Sequence, residues 1–290
     1  MRWWVLCLLF LGSWVSPGLA LRITATLYPL YDLAQKMAPP EVEIRLLIPP
    51  GADPHHFEPR LEALKALRRS DLVLAVGYEP WLPRNLPRKR LLLLAEGPLK
   101  NPHAWLDLER VQSFVERLAR RLAVLCPERT AEIEIRKRGL LAQIQRLEGL
   151  KRGLSTCHTH TVLVLGHAAL GELLKGTSLQ VVSLAGPHPE SEVLPGKLSQ
   201  ALALVRRQGL STVFLLDPGF ERYAPFFQRE GARVLRVNPG LPFWPGEKGL
   251  SFLDLLRKDL LTLKKGLCET SKRAPLSKAS PQAPSTSVHF

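Results

Sequence analysis

Strand-like and helix-like segments alternate along this chain in two blocks, and a long helical run lies between the blocks. Short apolar runs that alternate with amphipathic helical runs predict parallel sheets covered by helices. In the central run, from about residue 128 to 152, apolar residues recur at helical spacing. The sequence therefore predicts an α/β fold with two lobes on either side of one long helix. The predicted strands are residues 23–26, 42–48, 71–76, 91–95, 161–165, 179–184, 212–216 and 233–237.

The first 20 residues have the pattern of a secretory signal peptide. Arg2 precedes an almost wholly apolar run, and Ala20 ends a cleavage pattern of small residues. The run is too short to favour a transmembrane anchor, so we expect an exported, soluble protein cleaved near Ala20. Residues 269–290 are rich in Ser, Pro, Ala and Lys, which is typical of a disordered tail. The predicted organisation is a signal peptide at 1–20, an N-terminal lobe at 21–127, a linker helix at 128–152, a C-terminal lobe at 153–268 and a tail at 269–290.

Net charge and cysteine content do not by themselves identify a function. A net charge of +14 is compatible with binding to nucleic acid or to a membrane surface. The basic residues are scattered along helical stretches without interleaved aromatic residues, so no nucleic-acid partner is predicted. Three cysteines remain once Cys7 is removed with the signal peptide, and export permits a disulfide. Cys157 and Cys268 are the candidate pair because both fall in the second lobe, and three reduced buried thiols are the alternative.

Three histidines each follow the end of a strand-like run. They are His55, His103 and His167, and they come from both halves of the chain. In parallel α/β sheets, ligands bind outside the carboxyl ends of the strands, and neutral imidazole is the commonest metal ligand. The pattern indicates one metal site in the cleft between the lobes, although any single histidine could instead be an ordinary surface residue. Nearby acids could accept from a ring N–H or cap a helix: Asp53, Glu58 and Asp107.

Four ordered motifs carry a resemblance to a known family. They are Pro-Gly-Ala-Asp-Pro-His-His-Phe-Glu-Pro at 50–59, Gly-Tyr-Glu-Pro-Trp-Leu at 77–82, Asn-Pro-His-Ala-Trp-Leu-Asp at 101–107 and His-Ala-Ala-Leu-Gly-Glu-Leu at 167–173. In this order they resemble the zinc- and manganese-binding solute-binding proteins of bacterial ABC transporters, the cluster A-I periplasmic family. The resemblance runs from about residue 23 to 265.

The resemblance implies two (β/α)4 lobes joined by one long rigid helix, with the metal in the inter-lobe cleft. It places His55 and His103 in the first lobe and His167 in the second. The implied function is capture of a divalent metal ion in the periplasm and its delivery to a membrane permease. The metal would be cargo, so no enzymatic activity is expected, and the protein is expected to be a monomer.

The fourth metal position is where this chain departs from the family. The family often has an Asp before Pro after the last strand, whereas this chain has Asn238 before Pro239. Asn238 is therefore the candidate for the fourth ligand, with Asp217 or water as alternatives. Zn²⁺ is the expected cargo and Mn²⁺ the alternative, because three imidazoles without an obvious carboxylate suit Zn²⁺, whereas Mn²⁺ prefers harder oxygen ligands.

Two other functions stay open from the sequence. Three protein ligands plus water is also the pattern of catalytic zinc, so a secreted zinc-dependent hydrolase is one alternative, although no general base is evident. A metal-binding surface adhesin is the other, with the basic tail as its contact region.

Overall fold

The computed structural model describes residues 21–186, 193–242 and 244–269. The predicted signal peptide, and the predicted tail after Glu269, lie outside the described residues. Among the helices of the described residues, none is long and apolar enough to cross a membrane.

The N-terminal lobe is built on a parallel sheet of four strands: β1 (Arg22–Ala25), β2 (Glu43–Leu46), β3 (Leu72–Ala75) and β4 (Leu91–Leu93). Their order is β2-β1-β3-β4. All four residues of β3 are buried, as expected for a strand with helices over both faces of its sheet. The helices of this lobe are α1 (Tyr28–Met37), α2 (Leu61–Arg69) and α3 (Leu108–Leu125).

The long helix α4 (Thr130–Gly153) follows a short 3-10 turn at Pro127–Arg129. It buries a row of apolar side chains and packs mainly against α3. The predicted linker helix is thus present, and it begins after the turn because Pro127 cannot continue α3. The buried apolar residues of α4 are Ile133, Leu140, Ile144 and Leu147.

The C-terminal lobe repeats the same topology with β5 (Thr161–Leu165), β6 (Gln180–Ser183), β7 (Thr212–Leu215) and β8 (Arg233–Arg236), parallel and in the order β6-β5-β7-β8. Its helices are α5 (Leu170–Leu173), α6 (Pro195–Gln208), α7 (Ala224–Arg229) and α8 (Phe252–Cys268). The predicted fold class is confirmed. One helix is shorter than expected: the pattern predicts residues 168–175, but α5 spans only four residues.

The two lobes share a hydrophobic core and several polar contacts. The ring nitrogen of Trp105 donates to the carbonyl of Pro239 at 2.7 Å. The hydroxyl of Tyr28 donates to the carbonyl of Leu250 at 2.5 Å, and the carboxylate of Asp32 accepts from the N–H of Phe252 at 3.1 Å. These contacts hold the start of α8 against α1, and so bring the carboxyl ends of both sheets to one cleft.

The candidate cysteine pairing is confirmed, since Cys157 and Cys268 form a disulfide. The bridge joins the segment after α4 to the end of α8, while Cys126 is a buried thiol.

Candidate metal centre

The three predicted histidines meet at one cavity between the lobes. His55 lies in the loop after β2, His103 immediately precedes a 3-10 turn at Ala104–Leu106, and His167 follows β5. Each side chain therefore comes from beyond the carboxyl end of a strand. The cavity has a volume of about 290 Å³, and its wall also includes Trp105 and Asp217.

Their Nε2 atoms are close enough to share one ion. The Nε2 of His103 lies 3.1 Å from that of His55 and 2.9 Å from that of His167. One ligand atom from each of the three residues lies within 4.8 Å of the others. A tetrahedral Zn²⁺ ion with Zn–N bonds of about 2.0–2.1 Å places its nitrogens roughly 3.3–3.4 Å apart. Two of the three nitrogen pairs are thus close to the spacing that a single zinc ion requires, and the third pair lies within 4.8 Å.

Asn101 fixes the tautomer of His103. The Nδ2 of Asn101 is 3.0 Å from the carbonyl of Ala168, which can only accept, so Nδ2 must be the donor there. The Oδ1 of the same amide then accepts from the backbone N–H of His103 at 3.1 Å and lies 2.7 Å from His103 Nδ1. Nδ1 must therefore carry the proton, and Nε2 presents its lone pair to the cavity. This orients the Nε2 of His103, which is 1% exposed, toward the other two imidazoles.

Asp217 lies on the other side of His167. Its Oδ2 is 3.8 Å from His167 Nδ1, which is longer than a hydrogen bond, and this buried Nδ1 has no hydrogen-bond partner among the described residues. The pKa of Asp217 is lowered, mainly by its interaction with the His167 ring and also by the N–H of Gly219, against the opposing effect of burial. An ionised carboxylate therefore lies at the wall of the cavity, beside the ring of a predicted ligand.

Gly166 allows β5 and β7 to approach each other at this point. Its φ is +148°, and a Cβ built on it would lie 3.1 Å from the Cβ of Leu216 and 3.3 Å from the Cβ of Asp217. A side chain at Gly166 would require the segments that carry His167 and Asp217 to separate by a few tenths of an ångström. Glycine here brings the two groups together.

Asn238 points elsewhere. It is fully buried, its Nδ2 donates to Glu247 at 2.6 Å, and its Oδ1 accepts from the N–H of Leu241 at 2.6 Å. Its backbone N–H donates to Asp259 at 3.0 Å. Both polar ends of the amide are therefore engaged within the turn after β8. These contacts argue against the predicted fourth position for Asn238. Asp217, the weaker candidate from the sequence, lines the cavity.

The other acids near the histidines act on the backbone. Asp53 accepts from the backbone N–H of His55 at 2.8 Å and so holds the loop in an Asx turn. Asp107 caps α3 by accepting from the N–H of Glu109 at 3.1 Å. The acceptor that the sequence analysis missed is Asn101, although its place two residues before His103 is a local signal that could have identified it.

The comparisons with known proteins agree with this geometry. The chain matches the family model described as the periplasmic zinc-uptake complex component A, or ZnuA, over residues 23–266. It belongs to this family. It is 23% identical to the high-affinity zinc uptake system protein ZnuA of Bacillus subtilis, over 88% of this chain and 90% of the relative. It is 24% identical to the zinc-binding lipoprotein AdcA of Streptococcus pneumoniae, over 89% of this chain but only 59% of that longer relative.

A solved structure, the metal-dependent lipoprotein YcdH of Bacillus subtilis, has the same fold, with a TM-score of 0.75 and 21% identity. The match covers 86% of this chain and all of the other. The family resemblance read from the four motifs is confirmed.

Proposed function

We propose that this protein captures Zn²⁺ in the periplasm, after removal of its signal peptide near Ala20, and delivers the ion to the permease of a metal ABC transporter. The observation that carries the proposal is the convergence of three histidine Nε2 atoms, two of them 2.9 and 3.1 Å from the third. Membership of the zinc-uptake family and similarity to two zinc-binding relatives support it.

The ligand set we propose is His55, His103 and His167, with Asp217 as the fourth ligand. Asp217 is ionised and lines the same cavity, with its Oδ2 3.8 Å from His167 Nδ1. Its carboxylate lies outside the 4.8 Å cluster that the three imidazoles form, so it would turn toward the ion on binding. Three neutral imidazoles and one carboxylate suit the borderline-soft Zn²⁺, and Mn²⁺ would prefer a site richer in oxygen. Zn²⁺ is therefore the proposed cargo and Mn²⁺ a weaker competitor.

Four protein ligands would close the coordination sphere of zinc. Catalytic zinc sites keep an open position for water or substrate, whereas closed tetrahedral sites hold the ion without turning over a substrate. We therefore propose that the protein is not an enzyme. We also propose that it acts as a monomer, with the permease as its partner. The comparisons favour neither the hydrolase nor the adhesin interpretation.

Calorimetric zinc titration of single variants tests the ligand set. His55→Ala, His103→Ala and His167→Ala should each weaken binding by at least about 10-fold, the lower end of what even the loss of a ligand's hydrogen-bond partner costs. His56→Ala is the matched control, because His56 is the exposed neighbour of His55 and should leave the affinity unchanged. If His56→Ala were as damaging as His55→Ala, the assignment of the first ligand would be wrong.

Zinc uptake tests delivery separately from capture. In a host that lacks its own zinc-binding component but retains the permease, the wild-type chain should restore growth in zinc-depleted medium. His167→Ala should not. If His167→Ala restored growth equally well, the proposal that the protein binds zinc would still stand, but the proposal that this binding serves transport would be refuted.

A further inference from the structure

A second concave surface lies along the open edge of the N-terminal sheet. The strand β4 is the last in its sheet and pairs only with β3, so the other side of its backbone has no strand partner among the described residues. One face of α3 forms the opposite wall of a groove of about 700 Å³. None of the residues that line this groove lines the cavity of the three histidines.

Arginines dominate the polar lining of the groove. Arg117, Arg120 and Arg121 come from neighbouring turns of α3, and Arg88 lies just before β4. The one acidic residue in the lining is Glu96, whose carboxylate is 3.7 Å from Arg117. The groove therefore carries a positive charge that its own residues do not neutralise.

Two of these arginines are held in place by the ends of the edge strand. Arg117 donates to the carbonyl of Leu94 at 3.0 Å, and Arg121 donates to the carbonyl of Lys89. These two hydrogen bonds hold α3 against the edge strand, and the backbone of β4 lies between the two carbonyl groups that accept them. Arg88 and Arg120 are exposed, so their guanidinium groups face solvent at the rim.

The floor and far end of the groove are apolar. Leu91 and Leu93 of β4 are half-buried and border the groove, and Val124 of α3 is 78% exposed. Large aliphatic side chains on an open strand edge are usually covered or blunted by charge, because an unpaired edge invites another strand to pair with it. Here four arginines outweigh the one glutamate of the lining, so the net positive charge would attract a partner of opposite sign.

We propose that this groove binds an extended acidic segment of a partner protein, which adds to the N-terminal sheet as a strand beside β4. The unpaired backbone of β4 would supply the hydrogen bonds of strand addition. The rim guanidinium groups of Arg88 and Arg120 would bind carboxylates on alternate residues of the segment, since arginine matches carboxylates in a two-point geometry. Apolar residues between those acids would cover Leu91, Leu93 and Val124. An anionic membrane would meet the same charges, but a flat layer of headgroups would leave the recessed edge of β4 unpaired.

Binding of a synthetic peptide of alternating glutamate and valine, followed by fluorescence anisotropy on the zinc-loaded mature chain, tests the proposal. Arg88→Gln/Arg120→Gln should weaken binding about fivefold, the value of two exposed ion pairs. The control is Arg138→Gln/Arg152→Gln, which removes the same charge from exposed positions of α4 and should change the affinity little. The same peptide with an N-methyl group on every residue has no N–H donors on either edge and cannot pair as a strand, and we expect it to lose binding.

Three results would overturn the proposal. Equal binding of the N-methylated peptide would show that charge alone is recognised. An equal loss in the control variant would show that the groove is not the site. Absent peptide binding would also refute the proposal, and the membrane interpretation would take its place if vesicles of phosphatidylglycerol and phosphatidylcholine in equal parts bound through Arg88 and Arg120.

Discussion

The substitution Asn238→Asp distinguishes two interpretations of the turn after β8. Asn238 is either the fourth metal position or a buried residue that only stabilises the turn. If Asn238 were the fourth metal position, Asn238→Asp would add a hard oxygen ligand and raise Mn²⁺ affinity more than Zn²⁺ affinity. In the structure, Asn238 Nδ2 donates to Glu247 at 2.6 Å, and Glu247 also accepts from Lys258 at 2.8 Å. The same substitution would therefore place a second carboxylate against that of Glu247, and we expect it to damage stability and leave the metal preference unchanged.

The magnitude follows from the burial of this cluster. Asn238 is fully buried and Glu247 is 1% exposed. Losing a hydrogen bond to a charged group costs about 1.5–3 kcal/mol, and leaving a buried charge badly paired costs about 3–5 kcal/mol. We therefore expect Asn238→Asp to lower the free energy of unfolding by about 3–5 kcal/mol at neutral pH.

The loss should depend on pH. Burial beside Glu247 would raise the pKa of the introduced carboxyl in the folded state above its unfolded value of about 3.9. The loss should therefore be small near pH 4 and grow as pH rises through the folded pKa.

Urea unfolding of the metal-free protein at several pH values measures this effect, and competition titration measures the Mn²⁺/Zn²⁺ ratio. Asn238→Asp/Glu247→Gln is the matched control, since the new amide can donate to the introduced carboxylate and should recover part of the stability. A loss of less than about 1 kcal/mol, the size of an ordinary neutral hydrogen bond, would refute this account of the turn. A clear rise in the Mn²⁺/Zn²⁺ ratio would return Asn238 to the metal site.

Three further predictions concern the disulfide, the backbone contact at the site and a buried acid. Cys157→Ser/Cys268→Ser should lower the free energy of unfolding by up to roughly 5 kcal/mol in the chain-entropy model, because the bridge closes a loop with a sequence separation of 111; urea unfolding measures it. Gly166→Ala should weaken zinc binding by about 10-fold in calorimetry, since its Cβ would separate two segments of the site. Burial raises the pKa of Asp259 well above its usual range, so the stability that this acid contributes is full below its unfolded pKa and is lost as pH rises through its folded pKa. The free energy of unfolding of Asp259→Asn, relative to that of the wild type, should therefore be higher at pH 8 than at pH 4.

Each of these has a control within the chain. Cys126→Ser removes a thiol without opening a loop and should cost much less than the double substitution. Gly171→Ala places a methyl group in open space on α5 and should leave zinc affinity unchanged. An effect of Gly171→Ala equal to that of Gly166→Ala would show that the backbone contact is not the cause. For Asp259→Asn, a stability difference that does not change with pH would contradict the raised pKa.

Much of the fold could be predicted from sequence because its signals are local. The apolar runs that became β3, β5 and β7 are short and bounded by turn residues, and long helical periodicity identified α4. The three candidate histidines could be identified for the same reason, since each lies in a short motif in the loop after a strand. Asn101 was accessible too, because its contact with His103 spans only two residues.

The choice between Asn238 and Asp217 was not local. Asn238 donates hydrogen bonds to Glu247 and Asp259, which hold it away from the cleft. These acids are 9 and 21 residues away in sequence, and only the fold of the second lobe brings them to Asn238. Asp217 reaches His167 because two strands that are neighbours in space meet at Gly166. The arginine groove likewise depends on α3 lying across β4, which no run of sequence indicates.

X-ray absorption at the zinc edge tests the central claim most directly. The spectrum of the zinc-loaded protein should fit three imidazole nitrogens and one carboxylate oxygen, with metal–ligand distances of about 2.0–2.2 Å and no sulfur. The imidazole signal should fall by one ring in His103→Ala, whose wild-type side chain lies between the other two. A fit that requires sulfur, or that contains fewer than three imidazoles in the wild-type protein, would contradict the account.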